Sequence, residues 1–148
     1  MEIKFNDKTL QVLIVEDNEG DVRLIKEAFK DSRMLDKFSV VYDGEQALDY
    51  LHRRGDFESS SRPDLILLDL NLPKMNGFDV LTEIKATPRL RQIPVVIFSS
   101  STSDKDILRS YELKANSYVT KPSDYEDFLN VVRTIEEFWF KTVKLPIN

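Results

Sequence analysis

Arg62-Pro63-Asp64-Leu65-Ile66-Leu67-Leu68-Asp69-Leu70-Asn71-Leu72-Pro73 sets a four-residue apolar run between two aspartates. Leu65 to Leu68 do not alternate with polar residues, so they read as a strand buried on both faces, as in a parallel sheet. Val12-Leu13-Ile14-Val15, Val95-Val96-Ile97-Phe98 and the shorter Tyr118-Val119 repeat the pattern. A fifth candidate, Phe38-Ser39-Val40-Val41-Tyr42, carries a serine and suits a place nearer the sheet edge.

Helical patterns lie between these runs. Val22, Ile25, Ala28 and Phe29 mark one apolar face, and Ala47, Leu48 and Leu51 a second. Phe78, Leu81 and Ile84 give a third, stopped at Thr87-Pro88 because proline disfavours helix in the residue before it. Ile107, Leu108 and Tyr111 give a fourth, and the last runs through Phe128, Val131, Val132, Ile135, Phe138 and Trp139. The alternation predicts an α/β fold: a doubly wound (βα)5 domain with a five-stranded parallel sheet. Gly55 to Pro63 reads as a surface loop. One domain is expected over 1–148, with a core of about 10–142 and no output domain.

Composition narrows the function. With 21 basic and 26 acidic residues and net charge −5, the chain has no basic face for nucleic acid. It has no cysteine, which excludes disulfides and thiolate metal sites. Residues Met1 to Asp7 lack the apolar core of a signal peptide, and no apolar run approaches membrane-span length, so a cytoplasmic protein is expected.

In such a sheet, ligands bind beyond the carboxyl ends of the strands. Glu16, Asp17 and Asn18 follow the first run; Asp69, Leu70 and Asn71 follow Leu68; Ser99, Ser100 and Ser101 follow Phe98; Thr120, Lys121 and Pro122 follow Val119. Singly, an aspartate there is usually a turn or helix cap, and a lysine is usually solvated. Together, three carboxylates on one rim repel, by roughly 4 kcal/mol per pair at about 4 Å. A hard, oxygen-preferring cation such as Mg²⁺ answers that repulsion best. Lys121 cannot ligate a cation while protonated; its natural partner is an arriving phosphoryl group.

These residues make the chain similar to the receiver domains of two-component response regulators, which have a flavodoxin-like fold. The resemblance rests on Val15-Glu16-Asp17-Asn18, Leu68-Asp69-Leu70-Asn71-Leu72-Pro73 with Asn76-Gly77, Ser99, and Tyr118-Val119-Thr120-Lys121-Pro122. It implies that Asp69 accepts a phosphoryl group from a sensor histidine kinase. It further implies that Glu16, Asp17, Asp69 and the Asn71 carbonyl hold Mg²⁺, and that Lys121 pairs with the acceptor and then the phosphoryl oxygens. Ser99 stands where threonine is usual and keeps the hydroxyl that turns to the phosphoryl group. Tyr118 matches the aromatic that then rotates inward, repacking the surface of the fourth helix, fifth strand and fifth helix. The Lys121-Pro122 bond is typically cis in the family. Such a protein is a phosphoacceptor rather than an enzyme, although it contributes to its own phosphorylation and autodephosphorylation.

The long loop before Leu65, Ser110-Tyr111-Glu112-Leu113, and the ending through Phe138-Trp139 and Leu145-Pro146 resemble the stand-alone regulators paired with bacterial phytochromes. That closer likeness implies a phytochrome-type kinase and a homodimer face drawn from Tyr111, Phe138, Trp139 and Phe140. The downstream partner is open: a soluble target, a return path to the kinase, or a histidine phosphotransfer protein. Other readings fit less well. A dehalogenase-type phosphatase needs a second Asp where Asn71 stands, and a flavodoxin-like cofactor binder needs a Ser/Thr/Gly-rich phosphate loop where Glu16-Asp17-Asn18-Glu19 stands. No residue change supports a phosphorylation-independent module. His52, the one histidine, reads as a surface residue beside Arg53 and Arg54.

Overall fold

The structure, a computed structural model, describes residues 10–30 and 38–146. Its strands are β1 (Val12–Val15), β2 (Phe38–Val41), β3 (Leu65–Leu68), β4 (Val95–Ser99) and β5 (Ser117–Thr120). Its helices are α1 (Glu19–Ala28), α2 (Gly44–Leu51), α3 (Gly77–Ala86), α4 (Asp104–Glu112) and α5 (Tyr125–Glu137). The strands form one five-stranded sheet in the order β2-β1-β3-β4-β5, and every pairing is parallel. Gly55–Phe57 adds a short 3-10 turn to the loop before β3.

Pleating divides each central strand between two cores. Leu13, Val15, Ile66, Leu68, Val95 and Ile97 point to one face and pack with Ala47, Leu51, Val80, Leu81 and Ile84 of α2 and α3. Val12, Ile14, Leu65, Leu67, Val96 and Phe98 point to the other and pack with Ile25 of α1, Phe29 just beyond it, and Phe128, Val132 and Ile135 of α5. Fully burying one such side chain stabilises by about 1.5–3 kcal/mol. That is why these strands show unbroken apolar runs.

Each helix starts on a short polar side chain. Asn18, Asp43, Asn76, Ser103 and Asp124 accept the N–H three residues on, from Asp21, Gln46, Asp79, Asp106 and Asp127. Caps of this kind contribute about 1 kcal/mol each. Asp17, two residues past β1, and Asp69, one past β3, cap none of these helices. No helix among the described residues is long and apolar enough to cross a membrane.

Three expectations change. β5 is an edge strand, half-buried rather than buried on both faces, because only β4 pairs with it. α4 does not turn Leu108 and Tyr111 inward: they are 60% and 47% exposed, and Ser110 is its one buried residue. Beyond Glu137 the chain widens into a π-helical turn, Phe138–Thr142, closed by the Val143 N–H on the Phe138 carbonyl. A straight helix would carry the buried stripe of Phe128, Val132 and Ile135 on to Trp139 and leave Phe138 on its flank. Phe138, still bonded as part of α5, is exposed, Trp139 is half-buried, and the wider turn places Phe140 in the core, so Phe140 does not belong to an outward face.

Candidate functional site

Register brings the strand ends together. Val15 lies level with both Val41 and Leu68, Leu68 with Ile97, and Ser99 with Thr120. The next residue of three strands closes a final ladder bond: Glu16 N–H to Val41, Asp69 N–H to Val15, and Lys121 N–H to Ser99. Strand order reverses between β1 and β3, so Glu16 and Asp69 flank the switch point where ligands bind in such sheets.

The site itself is charged and nearly closed. Glu16, Asp69 and Ser99 are buried, whereas Asp17 is exposed at the rim. Carboxylate oxygens of Glu16, Asp17 and Asp69 lie within 4.8 Å of one another. Lys121 Nζ donates to Glu16 Oε1 at 2.6 Å, to Asp21 Oδ2 at 2.8 Å and to Asp69 Oδ2 at 3.3 Å. The other Asp69 oxygen, Oδ1, accepts from the Leu70 N–H at 2.8 Å.

One ammonium among three carboxylates settles who carries protons. Burial alone would pull Lys121 down, but its hydrogen bonds to Asp21 and Glu16 and the charges of Glu16 and Asp69 hold it above the ordinary lysine value. Glu16 moves the other way in charge: burial and the Asp69 charge push its carboxyl up to about 7, against the pull of Lys121. A hard cation bound by Glu16, Asp17 and Asp69 would remove the repulsion among those three. The donor set, all oxygen and part water-accessible, fits such an ion.

Ser99 and Tyr118 meet through one residue. The Ser101 N–H donates to Ser99 Oγ at 3.1 Å, the Tyr118 hydroxyl donates to the Ser101 carbonyl at 2.8 Å, and Ser101 Oγ donates to Asp106 Oδ2 at 2.7 Å. Tyr118 therefore lies half-buried against the core and the β4–α4 loop. No peptide bond among the described residues is cis, so the Lys121-Pro122 bond is trans, the form favoured by about 0.5–1 kcal/mol before proline.

Asn71 is exposed on the loop two residues past Asp69. Tyr111 lies apart from the carboxylates and accepts the Tyr118 N–H on its hydroxyl at 3.1 Å. His52 stays at the far end of α2, where Arg89 donates to its Nδ1. Burial and the charges of Arg54 and Arg89 lower its pKa, which keeps that nitrogen free to accept.

Two site residues escaped sequence reading. Asp21 binds Lys121 more closely than Asp69 does; its signal was a first-turn acid on a helix that begins directly at a strand end. Gly77 was noted only as part of Asn76-Gly77. A Cβ there would sit 2.4 Å from the Asp69 carbonyl oxygen and 2.7 Å from the Leu70 Cα, so only glycine lets α3 approach the acceptor loop.

The comparisons agree with this geometry. Rcp1 of Synechocystis sp., a response regulator, is 45% identical over 135 residues, 91% of this chain and 92% of that protein. The Mn(2+)-bound form of Rcp1 matches with a TM-score of 0.89 at 44% identity, over 93% of this chain and 99% of that one. The phosphorylated cyanobacterial phytochrome response regulator RcpA matches with a TM-score of 0.90 at 46% identity, over 93% and 99% of the two chains. FilR2 of Methanothrix harundinacea, a probable methanogenesis regulatory protein, is 44% identical over 137 residues, 91% of this chain and 86% of that protein. The response regulator receiver domain model covers residues 12–133, and with that span, this fold and these strand-end acids the chain belongs to the response regulator receiver family.

Proposed function

We propose that the protein is a response regulator that accepts a phosphoryl group on Asp69 and signals through phosphorylation-dependent protein contacts. The observation that carries this is the Lys121 ammonium 3.3 Å from an Asp69 oxygen, beside carboxylates spaced for one cation. A phosphohistidine presents phosphorus in line with Asp69 Oδ2. The O–P bond forms as the P–N bond breaks, and the imidazole leaves neutral because its second nitrogen keeps a proton. Lys121 follows the charge onto the phosphoryl oxygens, so catalysis is mostly positioning and electrostatics.

Mg²⁺ held by Glu16, Asp17, Asp69 and the Asn71 carbonyl would supply further positive charge to those oxygens. The Mn(2+)-bound form of Rcp1 supports a divalent cation. Ser99 and Tyr118, joined through Ser101, would pass the change to α4. The likeness to RcpA, a phytochrome response regulator, supports a phytochrome-type sensor kinase as the donor; in this reading the protein works in the cytoplasm as a phosphoacceptor rather than as an enzyme with its own substrate. Exposed Tyr111 and Phe138 are the side chains available to a homodimer face.

Phosphotransfer from a co-encoded histidine kinase with Mg²⁺ tests the reading. Wild type takes label and Asp69→Asn takes none; equal labelling of the two overturns it.

A further inference from the structure

Lys121 leans away from the proposed acceptor. Its two shorter contacts are to Glu16 and Asp21, and Asp69 is the farthest of its three partners. An ammonium has three donors, and these contacts engage all of them. Glu16 and Asp69 belong to the carboxylate trio that a cation would occupy; Asp21 does not. A bound cation would draw on Glu16 and Asp69 and leave the Asp21 contact to Lys121 uncontested.

The ordinary explanation of an acid at this place in a helix is a cap. Asp21 is the third residue of α1, where an acidic side chain can reach back to the N–H of the capping residue. Here the Asn18 N–H donates to Glu16 Oε2 at 3.1 Å instead. Asn18 caps the helix through its own side chain on the Asp21 N–H at 2.9 Å. The Asp21 carboxylate takes no part in capping, and its partner is the ammonium.

We propose that Asp21 is a positioning residue that holds the Lys121 ammonium away from Asp69 and must release it to the arriving phosphoryl group, so that it restrains phosphorylation. This rests on the phosphoacceptor reading above. Neutralising Asp21 frees Lys121 for the acceptor and raises the rate of phosphoryl uptake.

The full-length chain tests this as wild type, Asp21→Asn, Asp21→Ala and Asp21→Glu, with phosphoramidate as donor and saturating Mg²⁺. Asn and Ala raise the initial rate about two- to fivefold, the factor a partly exposed ion pair is worth, while Glu stays near wild type. The second readout is the ¹⁵N signal and hydrogen exchange of the Lys121 ammonium without metal or donor; Asn and Ala shift the signal and speed the exchange, and Glu restores both. Rates within experimental error of wild type, or an unmoved Lys121 signal, each overturn the proposal. If the wild type takes no phosphoryl group on Asp69, the phosphoacceptor reading has failed instead, and the Lys121 signal still decides whether Asp21 holds the ammonium.

Discussion

Three carboxylates around Lys121 leave a shortfall of positive charge, and it falls on Glu16 because that carboxyl is the most buried of the three. With its folded value at about 7 against an ordinary 4.5, native Glu16 keeps a proton that the unfolded chain has released over that window. The native state then binds more protons, so its stability falls as pH rises from about 4.5 to 7 and levels off above. One proton limits the slope to about 1.4 kcal/mol per pH unit. Urea unfolding in EDTA checks it: wild type loses stability relative to Glu16→Gln as pH rises through that window, and parallel profiles would refute it. Gly77 acts at the same scale by omission, since any side chain there would push on the Asp69 backbone.

Among the elements, α4 differs from its neighbours in how it is held. The other helices bury apolar stripes, whereas α4 buries Ser110 and attaches mainly through polar contacts. Arg109 stacks over the Phe78 ring at 4.2 Å, Tyr111 accepts the Tyr118 N–H, and Asp106 accepts from Ser101. Such contacts are directional and individually modest, about 0.5–1.5 kcal/mol each, so α4 can move without opening a core. Leu108→Ala should change stability by no more than about 0.5 kcal/mol, as for an exposed site. Ile84→Ala, in the fully buried stripe of α3, should cost about 2–5 kcal/mol. Denaturant melts of both variants decide it, and a cost above about 2 kcal/mol at Leu108 would mean that α4 is packed after all.

At the scale of the molecule, the sheet gathers chemistry at one end and leaves apolar side chains on the outside. Leu108 and Phe138 are 60% and 48% exposed, and Phe138 is one of the side chains the proposed homodimer would cover. Sedimentation of the unphosphorylated protein should show a mass above one chain that falls on dilution, and Phe138→Glu should give a single chain at every concentration. A wild type of monomer mass throughout would remove the homodimer. Phe140 cannot substitute for Phe138 in such a contact, because the π-helical turn commits it to the core.

The order of the elements was legible in the sequence because apolar runs and helical periods are local signals. Val12–Val15 and Leu65–Leu68 appear with the bounds of their apolar runs. So was the identity of the charged rim, since a parallel sheet puts every strand's carboxyl end on one side. What lay beyond reading was decided by long-range geometry. α4 looked amphipathic, but its direction depends on what the β4–α4 loop and β5 offer it. The face of Phe140 depends on one widened turn. Asp21 and Lys121 are 100 residues apart, and only the register of β1, β3, β4 and β5 brings their charges to 2.8 Å.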